Sequence, residues 1–145
     1  MNPAQDGGGL RMALMEWRAE FETHHALIDE QHQALIACFN DLQTAMNKGR
    51  GRAEVRKTLM FLTTYTLQHF SMEEELMAQH GYPDVQKHKE FHHNFVVRLS
   101  GLMDTYVEHG PAVLTTTTLD FMAGWLVEHI QGEDCHMAEF LRRQA

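Results

Sequence analysis

Seven side chains that a folded core cannot leave bare sit where the helical periodicity of this chain demands core. His32, His69, Glu73, His88, His92, His129 and Asp134 lie on or beside apolar stripes that recur every three or four residues. An unpaired polar group in such a place costs roughly 1–3 kcal/mol. Seven of them would consume the roughly 5–15 kcal/mol by which an ordinary domain is stable. Some bound species must compensate, and imidazole nitrogens with carboxylate oxygens are the donor set of a metal.

The stripes define four helices. The first is predicted over about residues 23–47, with Ile28, Leu35, Phe39, Leu42 and Met46 inward and His32 among them. Lys48 to Gly51 form a glycine-punctuated turn. The second helix, about residues 52–80, carries Val55, Leu59, Leu62, Thr66, His69, Glu73 and Leu76 at steps of three and four. Gly81-Tyr82-Pro83 ends it, and Asp84 is placed to cap the next. The third helix has the clearest register, Val85, His88, His92, Phe95, Leu99, Leu102 and Tyr106, and Gly110-Pro111 stops it. The last runs through Leu119, Met122, Leu126 and His129 to an end before Gly132, with Asp134 just beyond. Its first turns, Thr115 to Thr118, are expected to fray because threonine has low helix propensity. Met137, Phe140 and Leu141 add a short apolar-faced C-terminal extension. Four such helices joined by short turns predict an all-α, up-down-up-down antiparallel four-helix bundle. The expected domain spans residues 15–145. Residues 1–14, with a Gly7-Gly8-Gly9 run, read as a flexible tail, after which Trp17 and Phe21 begin an extension packed along the domain.

The formal charge of −8, with no basic cluster to offset it, argues against a nucleic-acid surface and against membrane binding. No apolar run approaches a membrane span and no secretory leader stands at the N-terminus, so a cytoplasmic protein is the expectation. Cys38 and Cys135 form no zinc or CxxC pattern, and two reduced thiols are expected in that compartment.

His69 with Glu73, and His88 with His92, are four residues apart on one helix, which stacks each pair on one face. Either pair alone is weak evidence. Four helices each sending ligands inward at a similar depth is strong evidence. If the centre is dinuclear, two bridging carboxylates, five imidazoles and one solvent-derived bridge leave a single position of two octahedra open. That is where a small ligand would bind. The Glu-x-x-His spacing of ferritin-like carboxylate proteins occurs at Glu90/His93 and Glu133/His136, but the first pair lies off the inward stripe and the second lacks a partner glutamate helix. A structural zinc needs fewer ligands than this set offers. His80, His93, His109 and His136 read as solvated or partly buried. His24 and His25 are read as structural residues near the bundle end, with an access route as the alternative.

The segments IDEQH (Ile28 to His32), HFSMEE (His69 to Glu74), GYP (Gly81 to Pro83), HKEFH (His88 to His92) and WLVEHIQGED (Trp125 to Asp134) resemble the hemerythrin signature in order and spacing. The match is to the bacterial single-domain members of that family and covers about residues 15–140. The resemblance implies two iron ions joined by an oxo or hydroxo bridge. His88, His92 and His129 would ligate the filled iron and His32 and His69 the iron with the vacancy, with Glu73 and Asp134 bridging. It further implies reversible dioxygen binding in an apolar pocket formed by Leu35, Phe70, Trp125, Leu126 and Ile130. Carriage, storage or scavenging of dioxygen is the expected role. Sensing through a separate signalling partner, delivery to an oxygen-consuming protein, and turnover of dioxygen, peroxide or nitric oxide are the alternatives.

Overall fold

Apolar periodicity and three glycine-bearing turns divide the chain much as expected. The computed structural model describes residues 15–49, 51–110, 112 and 116–144; the expected flexible tail at residues 1–14 lies outside them, as do Pro111 and Thr115. Helices α1 (Ala26–Asn47), α2 (Arg52–His80), α3 (Val85–His109) and α4 (Thr116–His129) form the four-helix bundle. Most predicted stripe residues are buried; Met46, Leu76, Val85 and Leu102 are only half-buried, and Ile36, Cys38, Gln43, Ala45, Phe70 and Met77 are buried beyond the predicted set.

Two glycines explain how the helices stop. Gly81 closes α2 in the left-handed region (φ 65°), and its N–H reaches the carbonyl of Met77. A residue with a Cβ is strained there, so the turn favours glycine. Gly110 ends α3 at φ 80°, and a Cβ on it would come within 2.6 Å of the Arg52 guanidinium. The same corner is tied by Tyr106, whose hydroxyl donates to the Arg52 carbonyl at 2.7 Å.

The start of α1 departs from expectation. The sequence pattern begins the helix at Thr23, whereas the first helical residue is Ala26. Thr23 instead donates through its N–H and its hydroxyl to the Asp29 carboxylate, at 2.8 and 2.7 Å. His24 follows at φ 63° and turns the chain. His25 is the N-cap, its Nδ1 accepting from the Ile28 N–H at 3.4 Å. Both histidines therefore shape the helix entry.

Ahead of that turn, the extension packs on the bundle. Met15 exchanges two 2.8 Å hydrogen bonds with the Asn40 side chain. Phe21 is buried in the main core, with Trp17 set edge-on to it. Arg142 donates to the Thr23 carbonyl and ties the C-terminal end to the same segment.

The C-terminal segment holds the largest difference. The expected stop before Gly132 does not occur. Ile130–Asp134 form a π-helical turn that runs directly into α5 (Cys135–Gln144), and the Cys135 N–H reaches the carbonyls of Ile130 and Gly132. Glycine lowers helix propensity by only about 1 kcal/mol. Burial of Met137, Ala138 and Leu141 on α5 outweighs that cost.

Among the described residues the buried apolar side chains form two clusters. The larger includes Leu35, Phe70, Phe95, Leu126 and Ile130. The smaller joins Ile28, Met77, Tyr82, Met137, Ala138 and Leu141. Along every element the histidines and carboxylates fall between members of the two, so a polar layer divides the core.

Replacing Tyr106 by Phe should cost about 1 kcal/mol in chemical denaturation, the usual loss for one hydrogen bond. An unchanged unfolding midpoint would show that the Arg52 corner does not contribute.

Candidate metal centre

The polar layer gathers all seven predicted residues. His32 comes from α1, His69 and Glu73 from α2, His88 and His92 from α3, His129 from the end of α4, and Asp134 from the π turn. Each is at most 2% exposed. Asp134 depends on the irregular turn. In a straight α-helix, residues five apart point about 140° away from each other. The i→i+5 hydrogen bond adds a residue to that turn and brings Asp134 back toward the face of His129. Their side chains meet at 3.0 Å, Nε2 to Oδ1.

The two carboxylates sort the histidines into two sets. Glu73 turns Oε1 toward His92 and His88 (3.0 and 3.6 Å) and Oε2 toward His69 and His32 (3.4 and 3.6 Å). Asp134 turns Oδ1 toward His88 and His129, both at 3.0 Å, and Oδ2 toward His32 at 2.7 Å. Each carboxylate thus divides its oxygens between the same two groups. The ligand atoms of Glu73, His88, His92, His129 and Asp134 lie within 4.8 Å of one another, as do those of His32, His69, Glu73 and Asp134.

Apart from His92 Nε2 with Glu73 Oε1, these contacts are close without being hydrogen-bonded. Both nitrogens of His32 and His88, Nε2 of His69, Oε2 of Glu73 and both oxygens of Asp134 are buried and make no hydrogen bond. The Nε2 atoms of His92 and His129 face each other at 3.1 Å. Nitrogen and oxygen ligands about 2.1 Å from one ion and at right angles lie about 3 Å apart. Lone pairs converging at that spacing fit a bound cation better than they fit one another.

The outer ring nitrogens hold the inner ones in place. His69 donates from Nδ1 to Gln31 Oε1 at 2.9 Å, and His92 from Nδ1 to Glu74 Oε2 at 3.0 Å. A proton fixed on Nδ1 leaves Nε2 as the lone pair facing inward. Sequence reasoning did not single out Gln31 or Glu74. Each adjoins a ligand in the chain, so it points away from the inward stripe. The available signal was its place beside His32 or Glu73 within a matched segment.

Aromatic rings cover the larger-cluster side. Phe70 stacks on His92 (3.8 Å, 7°), Trp125 on His129 (4.9 Å, 20°) and Phe95 on Trp125 (4.2 Å, 20°). Leu35, Phe70, Leu126 and Ile130 are buried in that cluster, and Trp125 is half-buried against it. Phe95 entered the sequence reading as a stripe residue only, yet it backs this wall. Glu90, His80, His93, His109 and His136 are exposed and stand outside the buried layer. Cys38 and Cys135 are both free thiols, and burial raises the pKa of each.

The geometry has close parallels. A family model described as the hemerythrin HHE cation binding domain matches residues 23–141. The chain belongs to the hemerythrin family. It is 36% identical to a bacteriohemerythrin of Methylococcus capsulatus, across 85% of this chain and 93% of that one. A bacteriohemerythrin of Stenotrophomonas maltophilia is 30% identical, across 90% and 89%. A crystal structure of wild-type hemerythrin superposes with a TM-score of 0.81 at 33% identity, covering 89% of this chain and 98% of that one.

Two outcomes test the site. Without metal, burial pushes the His32 and His88 pKa values down, but Asp134 and Glu73 override it and raise them to about 10 and about 9. Burial pushes Glu73 and Asp134 up, yet the histidines hold both below the usual carboxylate range. Raised histidine pKa values stabilise the fold fully below the ordinary histidine value of 6.5, and that stability is lost as pH climbs through 9 to 10. Depressed carboxylate pKa values stabilise it above the ordinary carboxylate range and lose that effect in acid. The thermal midpoint of chelator-treated protein should therefore fall from pH 6.5 to 10 and again in acid. A level midpoint on the alkaline side would contradict the ion pairing. Separately, Gln31→Leu should weaken metal affinity by about 10–100-fold, the usual loss on removing such a partner. Equal affinity in a competition titration would remove Gln31 from that role.

Proposed function

We propose that this chain binds dioxygen reversibly at a nonhaem di-iron centre, serving its carriage, storage or scavenging. His88, His92 and His129 would hold one iron and His32 and His69 the other, with Glu73 and Asp134 shared between the two. The observation that carries this reading is the division of both carboxylates between the same two histidine sets. A single ion would not call for that division. One set offers five residues and the other four, so the His32/His69 side keeps a place for a small ligand.

When bound, a ferrous pair supplies the two-electron chemistry that reversible dioxygen binding requires. The residues of the chain do the rest. Gln31 and Glu74 orient His69 and His92. Leu35, Phe70, Trp125, Leu126 and Ile130 form the apolar wall that keeps water from the vacancy, which favours release of dioxygen over irreversible oxidation. Bacteriohemerythrin and myohemerythrin relatives support binding over turnover. No helix among the described residues is long and apolar enough to cross a membrane, which accords with a cytoplasmic place for such a protein.

Iron-loaded, reduced protein should gain a visible charge-transfer band on exposure to dioxygen and lose it on purging with argon. A prompt change that purging cannot reverse would point to an oxidase or redox-sensing role. Leu126→Ser should shorten the lifetime of that band several-fold by admitting water. An unchanged lifetime would take Leu126 out of the pocket wall.

A further inference from the structure

Apolar side chains seal most of the centre, but two of its histidines border cavities with polar linings, His88 on one face and His92 on another. The cavity beside His88, about 240 Å³, lies between the turn after α2 and the start of α5. Tyr82, Asp84 and Lys87 line one side, Gly132, Glu133 and His136 the other, and His88 belongs to its wall. His88 is 2% exposed and directs Nε2 at Asp134 and Glu73. Its Nδ1, on the opposite edge of the ring, makes no hydrogen bond. Of the three histidines of that set, only His92 is held by a hydrogen bond, to Glu74; Nδ1 of His129 is unbonded, with Glu133 3.8 Å away. His88 also lacks an anchor, and space lies beside it.

At the mouth, Asp84 Oδ2 and His136 Nε2 stand 3.6 Å apart on exposed side chains. Their spacing matches two neighbouring ligands of one ion. Asp84 is the N-cap residue of α3 by position, yet its side chain makes no capping hydrogen bond. A hydrated divalent ion needs polar, water-filled passage, and this cavity leads from a carboxylate and an imidazole to a ring whose Nδ1 is unbonded.

We propose that this cavity is the loading port for ferrous ion, with Asp84 and His136 as transit ligands and His88 as the ligand that swings to pass the ion inward. The proposal rests on the di-iron reading. No bond is broken and no redox step is required: water leaves the ion as side-chain donors replace it. Lys87 lines the same cavity and opposes the ion's approach, which gives the idea a built-in test of sign.

The competing door is a second cavity on the α2–α3 face, lined by Phe70, Ser71, Glu74, Lys89, His92 and His93. There His92 is pinned between Glu74 and the Phe70 ring. That ligand is not free to move.

The experiment follows ferrous uptake by metal-free protein in stopped flow, and iron release from loaded protein to bipyridine. The double variant Asp84→Asn/His136→Ala should slow both processes about tenfold, toward the lower end of what focused charge does to association rates. Residues that act only in transit change both rates equally, so final iron content must match that of the unaltered chain. Lys87→Gln should speed both. Unchanged rates in the double variant overturn the port, as does slowed uptake accompanied by lower final iron content. Slowing instead by Lys89→Gln/His93→Ala assigns the port to the other cavity and overturns this one. The di-iron reading is judged separately, by the final iron content of the unaltered chain; failure to bind two irons removes that reading, and the port with it.

Discussion

A layer of imidazoles and carboxylates buried between two apolar clusters is the constraint on which the rest of this fold depends. Its members approach to 2.7–3.6 Å but leave many nitrogens and oxygens without hydrogen bonds. Removing such groups from water is costly unless each finds a partner. In the proposed di-iron reading a pair of cations satisfies them at once and offsets the buried charge of Glu73 and Asp134. Metal binding and folding are coupled under that reading. The layer also positions the helices, because each must present its ligand at the same depth.

The bundle supplies that depth through regular geometry on three helices and irregular geometry on the fourth. Spacings of four residues serve α2 and α3, where one α-helical turn stacks two ligands. His129 and Asp134 are five apart, and only the π turn makes them neighbours. That turn also permits α5 to continue and to bury Met137 and Leu141 in the smaller cluster. One local irregularity thus completes the donor set and closes the end of the core below it.

Much of this was legible in the sequence, and the rest was hidden for identifiable reasons. The helices and the inward histidines were legible because α-helical periodicity reports burial directly. Asp134 could be named from its segment, but its route to the site could not. Gly132 reads as a helix stop, and nothing local announces that packing of α5 will carry the helix through it. The entry to α1 was misread because Thr23, His24 and His25 show no break in pattern; the Thr23–Asp29 hydrogen bonds that delay the helix arise only once the chain turns. Gln31 and Glu74 escaped notice because they sit one residue off the inward stripe, where a polar side chain ordinarily meets water. Phe95 was legible as core but not as the ring behind Trp125, since stacking joins two helices distant in the chain.

On the proposed reading the buried layer holds two bridged irons. Mössbauer spectroscopy of the iron-57-loaded, oxidised protein, with iron counted per chain, addresses it most directly. Two irons per chain with distinct ligand environments, coupled through their bridge to a diamagnetic ground state, are expected. One iron per chain, or two with magnetically independent spectra, would contradict it.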